Sequence, residues 1–269
     1  VVQFFWFLQS QADVFIAGRL LGAHELGLYT TALFLTQILA AKFVPPLNEV
    51  AFAAYSRIQE DRGRMAFAFV RAARLIMLVA LPFYVGLAVT AEPLVLTILG
   101  SKWAETIAIV PILALAMPFL TLQILFAPAT NAIGRAGIAI RTGVAGAIIL
   151  PVAFLIGVRF GIAGLAYGWL VGMILLTAVT AAFSKAAISL DLGDIARAVK
   201  PGLLASSAMA ALVLALDSAL PPMSPQPRLA LLVTAGVATY GGLLLTFARP
   251  LVMELVGMIR RRSPATAAA

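Results

Sequence analysis

The stretch QSQADVFIAGRLLGAHELGLYTTA, residues 9–32, decides how this chain is read. Both of its ends are apolar enough to lie in a membrane, yet it carries a carboxylate at Asp13 and a guanidinium at Arg19. Either group at the centre of a bilayer costs about 2.5–3.5 kcal/mol on insertion scales, so a chain that keeps both gains something by them. On a helix Gln9 and Asp13 share a face, while Gln11 and Arg19 lie on an adjoining one. A stripe of that breadth cannot face lipid; it faces other helices or a wet cavity.

The whole chain supports a membrane setting. Of its 269 residues 62% are hydrophobic and 11% charged, against an apolar share of about 45–50% in soluble domains. Apolar runs of about 20 residues, the length a helix needs to cross hydrocarbon, recur without the alternation of a lipid-facing β-barrel. The fold class expected is all-α, a polytopic helical bundle. A net charge of +8 in a soluble protein points to nucleic acid, but here Lys and Arg sit in the turns between apolar runs, where orientation signals belong, and no nucleic-acid partner is expected. With no cysteine and His24 as the single histidine, thiolate chemistry and a His-based metal cluster are excluded. The opening VVQFFWFLQ lacks an initiator Met and the sections of a signal peptide, which predicts a piece of a longer protein.

The apolar runs predict eight spans, at about 2–21, 28–46, 68–90, 106–130, 138–157, 162–183, 201–220 and 229–248. Breakers mark the turns: GAHELG, AIGRAG, VRFGIAG and LPPMSPQPR. NEVAFAAYSRIQEDRGR, residues 48–64, is long and mostly polar and predicts a short surface helix ending near Gly63. Of the 19 Lys and Arg residues, all but Arg19, Lys102, Arg159 and Arg228 fall on one side of this eight-span layout. That side is therefore assigned to the cytoplasm, with both ends of the chain on it, and GMIRRRS reads as a basic tail attracted to anionic lipid headgroups. Prolines 45, 46, 82, 111, 118, 128 and 151 lie in or near spans, and each removes a backbone hydrogen bond.

Candidate functional residues are the polar groups within spans. Gln9, Gln11, Asp13 and Arg19 lie in the first, Gln37 and Lys42 in the second, and Gln123 and Asn131 at the fourth; Arg71 and Arg74 begin the third, one turn apart. They support either a transport path or helix packing. An enzyme is not expected, because the acids are scattered apart from Glu60–Asp61 and Asp191 with Asp194 in polar loops, and no Gly-rich phosphate loop precedes a helix.

Four ordered motifs, ADVFIAGRLLGAHELGLYTTA, YSRIQEDRGRM, AEPLVLTILGSKW and NAIGRAG, resemble the second half of bacterial oligosaccharide flippases, the Wzx-type polysaccharide transporters, over about residues 9–137. The resemblance implies two six-helix lobes, often followed by an extra helix pair. Residues 1–184 then form the second lobe and 185–269 the additional pair with its tail, and the amino-terminal lobe is a missing partner. It also implies movement of undecaprenyl-pyrophosphate-linked oligosaccharides across the inner membrane of a bacterium by alternating access, with lipids and other polysaccharide-assembly proteins as further partners. No cofactor is implied beyond a possible coupling ion. A pyrophosphate-linked sugar cannot cross hydrocarbon unaided, so on this reading Arg19, Lys42, Arg71 and Arg74 receive phosphate, Asp13 holds Arg19 or exchanges a proton or cation, and Gln9, Gln11, Gln37, Gln123 and Asn131 bind sugar hydroxyls. Two alternatives stand beside it: a drug or small-metabolite exporter of the same superfamily, and a structural membrane subunit without transport activity.

Overall fold

A computed structural model describes residues 2–247; the basic tail GMIRRRS and the last residue of the eighth expected span lie outside the described residues. The described residues form α1 (Val2–Leu20), α2 (Ala23–Ser56), α3 (Arg62–Val89), α4 (Ala91–Ile98), α5 (Val110–Ile124), α6 (Phe126–Ala132), α7 (Ala136–Gly157), α8 (Gly161–Lys185), α9 (Leu192–Ala219) and α10 (Pro225–Phe247). Stretches of 3₁₀-helix, Ser101–Ala108 and Val158–Phe160, precede α5 and α8. All of the secondary structure is helical among the described residues, as hydrocarbon demands: a helix satisfies its backbone groups within its own segment.

Five stretches are long and apolar enough to cross a membrane: Arg62–Val89, Val110–Ala132, Ala136–Lys185, Leu192–Ala219 and Pro225–Thr246. The third holds two antiparallel helices, α7 and α8, which turn back on each other at Val158–Phe160. α1 and α2, which carry the polar stripe, are not among the five. The eight expected spans correspond to α1, α2, α3, the pair α5–α6, α7, α8, α9 and α10.

Two local expectations are corrected. Residues 48–56 do not form a separate surface helix; they continue α2, which runs through positions 45 and 46 to Ser56 and then turns over Arg57–Glu60. A run of helix-compatible residues carries the helix through the prolines, so the polar segment is an extension of a span. α3 then begins on Asp61, whose side chain accepts from the Arg64 amide at 3.0 Å, a cap that contributes about 1 kcal/mol. The fourth span is not one helix either. It is interrupted at Leu125, where Pro128 supplies no N–H for the carbonyl four residues earlier and its ring presses on that turn.

The turns follow their breakers. Gly134 adopts φ 71° while its amide and that of Arg135 return to the Asn131 and Thr130 carbonyls at 3.0 Å, the left-handed closure of a helix C-terminus that favours glycine. The α7–α8 hairpin is the closest packing in the bundle. Gly157 and Gly164 face each other so closely that a Cβ on either meets the other's carbonyl oxygen, and a Cβ on Gly168 would lie 2.9 Å from the Ala153 oxygen. Without a hydrophobic drive between helices in lipid, such small-residue approaches supply the dispersion contact that holds helices together.

Around this hairpin α1 packs on α7, and α5 lies between α2, α3 and α8. The main core joins these helices through Tyr29, Tyr84, Leu113, Met117, Phe154 and Met173. α9 lies along α3, and α10 touches α9 and α4. At that end Arg228 spans the two groups of helices: its Nε and Nη2 donate to Asp217 at 2.7 and 2.9 Å, and Nη2 also lies 3.2 Å from Glu92 on α4.

Candidate functional site

The polar stripe of α1 divides between two environments. Gln9 is buried and donates from Nε2 to the Gly143 carbonyl of α7 at 3.3 Å. Gly146, one turn on, leaves room for it: a Cβ there would overlap the Gln9 amide. Asp13 is fully buried. Its Oδ2 accepts from the Tyr29 hydroxyl of α2 at 2.7 Å and from the Trp169 indole N–H of α8 at 3.0 Å, and the same N–H lies 2.7 Å from the Tyr29 oxygen. Three helices thus meet on one carboxylate oxygen. Oδ1 has no hydrogen-bond partner among the described residues.

Asp13 does not pair with Arg19. Arg19 ends α1, exposed, with its guanidinium 5.3 Å from the centre of the Phe15 ring, a cation–π contact of modest strength at an exposed site. The two charges stand six residues apart on the helix and point different ways, so each is accommodated separately.

Beside this clasp opens a cleft of 460 Å³ lined by Gln9, Ser10 and Gln11 of α1, Gln37, Ala40, Ala41 and Asn48 of α2, Leu120, Gln123 and Ile124 of α5, Leu150 of α7, and Trp169, Met173 and Leu176 of α8. Four of the amides expected from the sequence, Gln9, Gln11, Gln37 and Gln123, therefore converge. Ser10 and Asn48 join them, and the Asn48 Oδ1 is buried without a partner among the described residues. Gln37 and Asn48 are separated by about three helical turns, so the unbroken α2 presents both to one side. Trp169 links the two features: it lines the cleft and donates to Asp13.

The remaining expected residues lie elsewhere. Lys42 follows the cleft-lining Ala40 and Ala41 and is exposed. Asn131 is exposed in the last turn of α6. Arg74 borders a separate groove between α3 and α9, shared with Phe67, Val70, Asp194, Arg197 and Pro201, and Arg71 lies one turn before it on α3. Among the described residues the lining of the cleft is amide, hydroxyl, indole and apolar, without a charged side chain. Its chemistry is hydrogen bonding to neutral groups such as hydroxyls, with apolar and indole faces for stacking.

Tyr29, Trp169, Ser10 and Asn48 were not singled out from the sequence. A Trp in the middle of a span instead of at the headgroup level is a signal that its N–H needs a buried partner. Tyr29 was legible from the turn at residues 21 and 22: in an antiparallel pair, positions 13 and 29 stand level.

The first 108 residues match the family model described as "Polysaccharide biosynthesis protein". The chain is 26% identical over 108 residues to the teichuronic acid biosynthesis protein TuaB of Bacillus subtilis, covering 40% of this chain and 22% of that one. It is 26% identical over 132 residues to the succinoglycan biosynthesis transport protein ExoT of Rhizobium meliloti, 49% of this chain and 27% of that one. With the lipopolysaccharide biosynthesis protein WzxC of Escherichia coli it shares 25% over 107 residues, 40% and 22% of the two chains. The matched stretches thus span about a quarter of these relatives' lengths. The structure superposes on the lipid II flippase MurJ in its inward closed conformation with a TM-score of 0.70 at 15% identity, over 85% of this chain and 48% of MurJ. The first 108 residues thus resemble the polysaccharide biosynthesis protein family, and the helices take the fold of MurJ.

Proposed function

We propose that this chain is one lobe and the following helix pair of an inner-membrane flippase that moves undecaprenyl-pyrophosphate-linked oligosaccharides during surface polysaccharide biosynthesis, by alternating access against a second lobe. The observation that carries the reading is the amide-lined cleft. Gln9, Gln11, Gln37, Asn48 and Gln123 crowd one 460 Å³ space among largely apolar helices, and intramembrane polar groups gathered about a cavity mark a substrate path more often than packing does. Amides recognise sugar hydroxyls by giving and accepting hydrogen bonds, and a membrane-embedded position lets the lipid tail stay in hydrocarbon while the glycan travels through a polar space.

On this reading the sugars occupy the cleft, and the basic groups Arg19, Lys42, Arg71 and Arg74 draw the pyrophosphate to the margins of the lobe. Asp13 fixes the meeting of α1, α2 and α8 that forms one wall, and it remains the candidate group for a coupling proton or cation. α9 and α10 ride with the lobe through α3 and the Arg228 bridge. The activity is transport, with no chemical conversion of the substrate.

The test is surface-polysaccharide display in cells whose full-length gene carries Gln37→Leu or Asn48→Leu, with membrane protein level measured beside it. Loss of display at normal protein level is expected. Unchanged display at normal level would remove the cleft from the path. Lys42→Ala in the same assay, expected to weaken display, tests the phosphate assignment by itself.

A further inference from the structure

Behind the cleft lies a smaller chamber of 130 Å³ that the transport reading does not use. The two spaces share Gln9, Gln123 and Ile124, so they adjoin along two amide side chains. Its walls are apolar at Ile124, Phe126, Ala127, Ile138 and Ala139, with hydroxyls at Thr130, Thr142, Thr180 and Ser184.

Two of those hydroxyls are already spoken for: Thr130 donates to the Phe126 carbonyl at 3.0 Å and Thr180 to the Leu176 carbonyl at 2.7 Å. The other two are not. Thr142 is 8% exposed and Ser184 0%, and neither Oγ has a partner among the described residues. Buried hydroxyls without partners are costly and are ordinarily met by a ligand or water. Among the described residues no charged side chain lines the chamber, and a bare ion enters such a space only against a large desolvation cost. Its guest is therefore neutral.

Size narrows the guest further. A cavity of about 150 Å³ holds a benzene ring, so 130 Å³ takes a group somewhat smaller than that. That accommodates the four non-hydrogen atoms of an acetamido or acetoxy group and excludes a hexosyl ring with its hydroxyls. Such a group has the right polarity: a carbonyl oxygen that accepts from a hydroxyl, and a methyl that packs on Ile138 and Phe126.

We propose that this chamber is a specificity subsite for an acetyl group carried on a sugar nitrogen or oxygen of the glycan in the cleft. The Thr142 and Ser184 hydroxyls donate to its carbonyl, and Gln9 and Gln123 stand at the opening through which the substituent projects. The subsite rests on the transport reading and sharpens it: glycans bearing an acetyl group near the lipid-linked end are selected over the same glycans without it.

The experiment uses the full-length protein in nanodiscs, with binding of three probes on undecaprenyl pyrophosphate: N-acetylglucosaminyl, 2-O-acetylglucosyl and glucosyl. The wild type is expected to bind the acetylated probes at least tenfold more tightly than the glucosyl one. Nitrogen and oxygen carriers are told apart by which of the two is the tighter. Thr142→Val combined with Ser184→Ala is expected to shrink the preference below threefold while leaving glucosyl binding unchanged. Both substitutions remove unpartnered hydroxyls at nearly constant shape, so the fold tolerates them. Ala139→Leu, which fills the chamber, is expected to do the same by exclusion. Equal binding of acetylated and glucosyl probes by the wild type, as a chamber holding only water gives, overturns the subsite and leaves the transport reading standing. So does a double variant that weakens all three probes alike. Failure of every probe to bind overturns both.

Discussion

Replacing Tyr29 by Phe takes one oxygen from the centre of the Asp13 clasp and leaves a fully buried ring in place. What is lost is the 2.7 Å donation to Asp13 Oδ2 and the 2.7 Å acceptance from Trp169 Nε1. Hydrogen bonds to ionised groups contribute about 1.5–3 kcal/mol in soluble proteins. Interhelical hydrogen bonds in membranes average about 0.6 with a maximum near 1.7, because the unfolded chain in lipid also finds partners. The Trp169 indole still reaches Oδ2 at 3.0 Å after the change, so the carboxylate is not stripped, and a loss of about 1–2 kcal/mol is expected. The assay is unfolding of the full-length protein in mixed micelles by increasing fractions of denaturing detergent. A double-mutant cycle with Trp169→Phe is expected to show a coupling of about 0.5–2 kcal/mol, since the two side chains share one acceptor. If Tyr29→Phe costs less than about 0.3 kcal/mol and the coupling is nil, the three-helix clasp does not stabilise this lobe and the reasoning is refuted.

Gly164→Ala forces a methyl into the Gly157 carbonyl; overpacking of that kind costs about 1–3 kcal/mol and is expected to lower the unfolding midpoint, whereas Gly137→Ala, at a helical position where a Cβ meets nothing within 4 Å, is expected to hold or slightly raise it. Arg228→Ala breaks the bidentate pair with Asp217 and the contact with Glu92. Because the Arg228 and Asp217 side chains are only 26% and 18% exposed, a loss of about 1–2 kcal/mol is expected, with faster protease cleavage of the α9–α10 turn. Glu92→Gln, at a side chain 51% exposed, is expected to cost less than about 1 kcal/mol and to matter less as salt is raised. An Arg228→Ala variant with the cleavage rate of the parent protein would separate the turn from the stability of the helix pair.

The sequence by itself determined the helical class of this protein. Runs of about 20 apolar residues leave a chain in hydrocarbon no choice but the helix, since only there does each backbone group find its partner nearby. Gly134 and Gly161 marked their turns because those positions require positive φ. The polar stripe was equally legible, as periodicity places Gln9 and Asp13 on one face whatever the neighbours are. What that face meets was decided only by tertiary structure. Asp13 finds Trp169, 156 positions away, in place of the nearby Arg19, and Gln9 finds a carbonyl 134 positions away. Charge complementarity between near neighbours in sequence suggested a pair that helix geometry turns apart. Asn48 escaped because its polar surroundings read as a separate surface helix, while α2 runs on through two prolines and brings it beneath Gln37. Periodicity assigns a side chain its face; only the packing of distant helices gives that face a partner, and the partners make the site.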